Sequence, residues 1–179
     1  MAAKFSQRLI VEKMVEDMME INCSVLGDCD DYKTSVCEEP ISKGDFLSYE
    51  EKYGSGAKAG MQSAEKRIPA DIPEKMSREI RHLAGETFRV LSCHGVSRVD
   101  VMVDKKDNKI YVNEINTIPG SLSFYLWEET GVSFSSLMDE LIKLAFKRKR
   151  ETERKTFSYD TNIFAMGGGL KGGKLKGKR

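Results

Sequence analysis

Three oxygen-bearing side chains, Asp100, Glu114 and Asn116, are the residues of this sequence best suited to chemistry. Successive side chains on a β-strand point to opposite faces, so Glu114 and Asn116 are expected to share one face. Carboxylate and amide oxygens are the hard ligands that Mg²⁺ prefers, and such an ion commonly takes only one or two protein carboxylates beside nucleotide phosphate. The pattern therefore predicts a magnesium site. The opposite face of the same strand is expected to carry Tyr111, Asn113 and Ile115.

A hairpin would bring Asp100 to this face. Residues 97–103 alternate hydrophobic and polar side chains, which is typical of a half-buried strand. Residues 104–109 contain no hydrophobic side chain and predict a turn between two antiparallel strands. We place the centre of this loop near Asp107, which sets the register of the pair.

In that register Asp100 faces Glu114 and Arg98 faces Asn116, because directly opposed residues of a hairpin share a face. The polar face would then combine carboxylates, an amide and a guanidinium. Asp and Asn are poor strand formers, which favours a reason for their presence beyond solubility. A simply solvated outer face is the alternative that spacing leaves open.

With these residues in place, the chain resembles the metal-binding end of the D-alanine:D-alanine ligases, which have the ATP-grasp fold. The resemblance covers about residues 9 to 147 and follows the family's order of motifs. It implies an α+β fold in which a mainly antiparallel sheet is flanked by helices. The matching segments are Val11–Val15, Glu20–Gly27, Tyr49–Tyr53, Ile68–Pro73, Arg98–Asp100, Asn113–Gly120 and the closing helix after Gly131–Phe134.

The resemblance also implies a nucleotide pocket. Glu12 and Val15 would hold the adenine edge, and Lys13 would lie near the base. Glu20 would bind the ribose hydroxyls. Lys52 would meet the ATP phosphates as a point charge, whereas a solvated lysine is the plain alternative.

By the same resemblance, Tyr53 would lie on a mobile loop that closes over the substrates. Residues 54–60 are small and flexible and cannot bury a hydrophobic face, which suits a lid that keeps water away from an acyl phosphate. An ordinary surface loop of this composition is the competing interpretation.

A second substrate site is implied at Gly120, Ser121 and Leu122. The Ser121 hydroxyl and nearby backbone amides would bind the carboxylate of the second D-alanine. Ser123 is the alternative serine for this role. Either serine could instead merely cap the helix that leads to Trp127.

The implied reaction is phosphoryl transfer from ATP to one D-alanine, followed by attack of a second D-alanine amine on the acyl phosphate, for peptidoglycan precursors. Asp100, Glu114 and Asn116 would hold Mg²⁺, with Mn²⁺ as the alternative ion, and Arg98 would stabilise the transition state. ATP-grasp ligation of another D-amino acid or D-hydroxy acid pair stays open. A non-catalytic module that binds a partner also stays open.

Composition agrees with a soluble cytoplasmic protein, since the 179 residues carry a net charge of +1 and no apolar run that could span a bilayer. The four cysteines show no CxxC spacing and are expected to be reduced thiols. Helical periodicity predicts helices after Pro73 and after Ser133. Residues 1–150 would form the ATP-grasp subdomain, and residues 151–179 a linker and a disordered Gly/Lys-rich tail.

Two regions of the complete ligases have no counterpart in this sequence. They are the N-terminal domain and the central domain with its glycine-rich loop. The chain is therefore expected to be the C-terminal half of a ligase that works with both, and to self-associate, for example as a homodimer. No membrane partner is expected, and nucleic acid is not favoured because no aromatic residues lie among the lysines of the tail.

Overall fold

The computed structural model describes residue 4, residues 7–41 and residues 65–155. The chain divides into two compact units, Met1–Phe146 and Lys147–Arg179. Residues 156–179, which include the Gly/Lys-rich tail expected to be disordered, lie outside the described residues, and the boundary at residue 150 stays a prediction.

The first unit is built on a five-stranded sheet in the order β3-β2-β1-β4-β5, in which every neighbouring pair is antiparallel. This confirms the predicted fold class of a mainly antiparallel sheet with helices. The strands are β1 (Met18–Gly27), β2 (Tyr32–Ile41), β3 (Glu65–Arg67), β4 (Gly95–Asp104) and β5 (Lys109–Asn116). The helices are α1 (Glu74–Val90), α2 (Phe124–Glu129) and α3 (Phe134–Glu153), and a 3₁₀ helix spans Gly120–Ser123.

One face of the sheet packs against α1. Three of the buried residues of α1, Ile80, Ala84 and Phe88, recur every four positions and so lie on one side of the helix. They meet the alternate apolar residues of the central strands, because those positions share a face. The sheet residues of this core are Ile21, Cys23, Val25, Cys37, Val99, Val101 and Val103.

The other face has an apolar cluster at one end. There Leu26 and Val96 pack with Trp127 and with Leu137 and Leu144 of α3. The Trp127 indole Nε1–H donates to Ser24 Oγ at 3.0 Å, and this hydroxyl donates to the Ser97 carbonyl at 3.0 Å. Further along the face the side chains are polar, and these form the candidate site described below. Within the described segments, no helix has both the length and the apolar character needed to cross a membrane.

We predict that Ile80→Val lowers the free energy of unfolding by about 0.5–1.5 kcal/mol, because it removes a buried methyl group and leaves a small cavity. Ile142→Val is the matched control, since it makes the same change in a helix where the residue is 55% exposed. Urea unfolding with an unchanged m-value is the measurement. Equal losses in the two variants would contradict the assignment of the core.

Candidate active site

The β4–β5 hairpin brings together the polar residues that the sequence singled out. Asp100 is opposite Glu114, and Arg98 is opposite Asn116. The predicted register is therefore confirmed at the site.

The turn alone does not produce this register. Next to the turn, Val101 pairs with Val112, and continuing that register would place Asp100 opposite Asn113. Instead a bulge between Asp100 and Val101 takes up one extra residue of β5, so Asp100 meets Glu114. The bulge thus keeps the carboxylate of Glu114 on the polar face.

The bulge also corrects one expectation. Tyr111, Asn113 and Ile115 were expected to share a face, but this is wrong. Ile115 packs against the same core as Ile110, five positions earlier, an odd spacing that an unbroken strand would put on opposite faces. Tyr111 pairs with Met102, two residues from Asp100, and so lies on the polar face.

Arg98 and Asp100 form the strongest contact of the site. The guanidinium Nε and Nη2 donate to Asp100 Oδ1 and Oδ2 at 2.6 and 2.7 Å, a bidentate pair in which Asp100 is 3% exposed. Burial raises the pKa of Asp100 above its ordinary value, and the hydrogen bonds from Arg98 oppose this rise. Asp100 in turn raises the pKa of Arg98, which stays charged.

A row of polar side chains crosses four strands at this point, from Glu38 in β2 through Asn22 and Asp100 to Glu114 in β5. Glu38 is 1% exposed, and its Oε1 accepts a hydrogen bond from Asn22 Nδ2 at 3.1 Å. Glu38 and Asn22 were not predicted as site residues, because only long-range strand pairing places them beside Asp100. The one local signal for Glu38 in the sequence was an acidic residue directly after Cys37.

The oxygen donors of the site meet part of what a magnesium ion requires. Asp100, Glu114 and Asn116 supply hard oxygens, but Asn116 Nδ2 also donates to Asp100 Oδ2 at 2.9 Å. Among the described residues, no group of three or more His, Cys, Asp and Glu side chains could hold a metal ion. Two carboxylates and one amide are too few donors for an octahedral shell, so these side chains suit an ion that keeps phosphate or water oxygens as its other ligands.

The turn after β5 has an unusual backbone. Ser121, Leu122 and Ser123 all have left-handed φ values of 52–53°. Each such residue costs about 1–2 kcal/mol, so the surroundings must hold the turn in place. Neither serine caps α2 through its side chain: Ser123 occupies the N-cap position without a side-chain hydrogen bond. Ser121 is exposed, whereas the buried Ser123 Oγ has no hydrogen-bond partner among the residues that the structure describes.

The residues expected to bind nucleotide are less closely grouped. Glu12 and Lys13 are exposed, and Val15 is half-buried, in the segment that precedes β1. Glu20 is half-buried in β1 and, two residues from Asn22, lies on the polar face. The remaining expected contacts, Lys52, Tyr53 and the loop 54–60, lie outside the described residues.

This chain is similar in sequence to known proteins of one family. Residues 1–143 match the family model described as D-ala D-ala ligase C-terminus. The D-alanine–D-alanine ligase of Thermosipho africanus is 42% identical over 168 residues, which are 92% of this chain and 43% of that protein. This chain thus spans less than half the length of that relative.

This chain is also similar to the solved structures of two ligases. The D-alanine-D-alanine ligase from Coxiella burnetii superposes with a TM-score of 0.61 and 31% identity, over 76% of this chain and 34% of that one. The VanG D-Ala:D-Ser ligase from Enterococcus faecalis gives a TM-score of 0.56 and 31% identity, over 70% and 36%.

We predict that Arg98→Gln lowers the free energy of unfolding by about 3 kcal/mol, because it leaves the buried Asp100 carboxylate without its cation. The double variant Arg98→Gln/Asp100→Asn should recover part of this loss. Lys106→Gln is the control, since the Lys106–Glu16 pair is exposed on both sides and should contribute little. Similar losses in Arg98→Gln and Lys106→Gln would contradict the prediction.

Proposed function

Because this chain belongs to the D-ala D-ala ligase C-terminus family, we propose that it is the C-terminal part of an ATP-dependent ligase that joins two D-alanine molecules. The product would serve peptidoglycan precursor synthesis in the cytoplasm. The observation that carries the proposal is the polar row on one face of the sheet, with Arg98 paired to Asp100 beside Glu114 and Asn116. A sheet face kept only for solubility does not need a buried ion pair.

Asp100, Glu114 and Asn116 are proposed to hold Mg²⁺, or Mn²⁺ in its place. When bound, the ion would neutralise charge on the ATP phosphates. Since Asp100 is engaged by Arg98, the exposed Glu114 is the carboxylate most accessible to an incoming ion. Around them, the proposed nucleotide contacts are Glu12, Lys13, Val15, Glu20 and Lys52.

Arg98 is proposed to stabilise the negative charge that develops during both steps. First, a carboxylate oxygen of one D-alanine takes the terminal phosphoryl group of ATP, and ADP leaves. The neutral amine of the second D-alanine then attacks the carbonyl carbon, the C–O bond to phosphate breaks, inorganic phosphate leaves, and the nitrogen loses a proton to solvent. A guanidinium has five N–H donors, so Arg98 keeps donors for this role while it holds Asp100.

Gly120, Ser121 and Leu122 are proposed to bind the carboxylate of the second D-alanine. The exposed Ser121 hydroxyl is the better candidate, because a ligand approaching from solvent can reach it and the buried Ser123 is covered. Tyr53 is proposed to lie near the same substrate. The N-terminal and central parts of a ligase are the proposed partners.

Ligation of D-alanine to D-serine is the second candidate function. The VanG D-Ala:D-Ser ligase supports this candidate, because it is as similar to this chain in sequence, at 31% identity, as the Coxiella burnetii enzyme is. Product analysis with mixed D-alanine and D-serine, in a ligase that contains this chain, separates the two.

We predict saturable binding of Mg²⁺-ATP to the purified chain by calorimetry, with the affinity reduced at least about tenfold in Asp100→Asn/Glu114→Gln, since two acidic metal ligands are neutralised. The control Asp139→Asn/Glu140→Gln removes the same charge from α3, which contributes no residue to the polar row, and should leave the affinity unchanged. Equal binding in both double variants, with folding verified by circular dichroism, would place the nucleotide elsewhere. No binding to the parent chain would contradict the prediction that this chain alone carries the nucleotide site.

A further inference from the structure

Glu38 is a buried carboxylate that none of the proposed ligand roles uses. It is 1% exposed and lies in β2, at the end of the polar row farthest from Glu114. A charge at this depth is costly unless it is paired and hydrogen-bonded. Its cationic partner is Lys66, whose Nζ lies 3.5 Å from Glu38 Oε2.

Tyr125 connects this carboxylate to the substrate turn. Its hydroxyl donates to Glu38 Oε1 at 3.0 Å, the same oxygen that accepts from Asn22. Burial raises the pKa of the Tyr125 phenol, so the hydroxyl keeps its proton and remains a donor. Lys66 lies over the face of the Tyr125 ring, with Nζ 4.0 Å from the ring centroid, and this cation–π contact also stabilises the position of the ring.

Tyr125 is the second residue of α2 and follows the left-handed run of Ser121, Leu122 and Ser123. Three left-handed residues in a row together cost several kcal/mol, and such a backbone persists only when its surroundings determine it. Within the turn, the Leu122 amide donates to the Pro119 carbonyl at 2.9 Å. An anchor from the first turn of α2 to the sheet would supply the remaining constraint.

We propose that Glu38 is a positioning residue: through Tyr125 it fixes the turn that carries Ser121 relative to the Arg98–Asp100 pair. The inference rests on the proposed function for the identity of the ligand, a D-amino acid carboxylate. Glu38 and Asp100 lie on either side of Asn22 in the same row, so one sheet carries both the turn's anchor and the ion pair.

A polar anchor has a geometric advantage over apolar packing at this position. Hydrogen bonds from Tyr125 and Asn22 to one carboxylate oxygen fix direction as well as distance, whereas apolar contacts tolerate sliding. Tyr125→Phe removes only the hydroxyl, and Glu38→Gln removes only the charge, so each substitution nearly keeps the volume of the side chain. Both variants therefore test the anchor without opening a cavity.

The first test is amide hydrogen exchange in the chain itself. The amides of Leu122 and Phe124, which donate to Pro119 and Ser121 carbonyls, should exchange about tenfold faster in Tyr125→Phe, as expected for loss of one hydrogen bond to a charged acceptor. Glu38→Gln should act in the same direction with a smaller change, because one acceptor oxygen remains. The Leu137 amide in α3 is the reference and should keep its rate.

Tyr32→Phe is the matched control. It breaks a second tyrosine–glutamate hydrogen bond, from the Tyr32 hydroxyl to Glu86 Oε1 at 3.2 Å, which joins β2 to α1 and not to the turn. Faster exchange at Leu122 in Tyr125→Phe alone supports the anchor. Unchanged exchange in Tyr125→Phe, or an equal increase in Tyr32→Phe, would overturn the proposal.

The second test separates positioning from general loosening. D-alanyl-D-alanine, titrated by NMR, should bind about tenfold more weakly to Tyr125→Phe than to the parent chain, while the affinity for Mg²⁺-ATP stays the same. Equal weakening of both ligands would overturn a positioning role. A parent chain that binds neither ligand would count against the proposed function only, since the exchange rates of the turn still decide whether the anchor exists.

Discussion

The pairing of Arg98 with the buried Asp100 is the interaction on which the rest of the site depends. Asp100 lies in a central strand at 3% exposure, where an unpaired carboxylate would not be stable as an anion. The bidentate guanidinium fixes both side chains in one plane. Around this pair, Asn116 and Glu114 take positions that the sheet register imposes. The polar face is therefore organised from its buried ion pair outwards.

A buried ion pair is weak evidence of stability, because well-packed hydrophobic residues of the same volume often do as well or better. The sheet illustrates the contrast on its two faces. Towards α1, valines of β4 make an apolar core, whereas alternate residues of the same strand are Arg98 and Asp100. Because β4 packs well on its apolar side, folding alone does not explain why its other side is polar. We propose that this polar side recognises charged ligands.

The sequence was sufficient to predict the hairpin because alternation in β4 and the polar turn are local signals. It predicted the pairing of Asp100 with Glu114, although it attributed the register to the loop and not to the bulge. The bulge could not be predicted, since it depends on whether Ile115 or Glu114 turns towards a core that forms only in the folded sheet. Glu38 and Asn22 were missed for the same reason: their neighbours come from strands that are distant in sequence.

The turn that carries Ser121 and Ser123 has a strained backbone, and long-range hydrogen bonds from α2 to the sheet hold it in place. Ser121 and Ser123 both have a left-handed backbone, but Ser121 is exposed and Ser123, at the N-cap of α2, is buried. The turn can keep this shape because α2 is tied to the sheet both by Trp127, through Ser24, and by Tyr125, through Glu38. Since these ties reach adjacent strands, a shift of α2 along the sheet would break both. The exposed Ser121 hydroxyl thus takes its position from hydrogen bonds, several residues away, that tie α2 to the sheet.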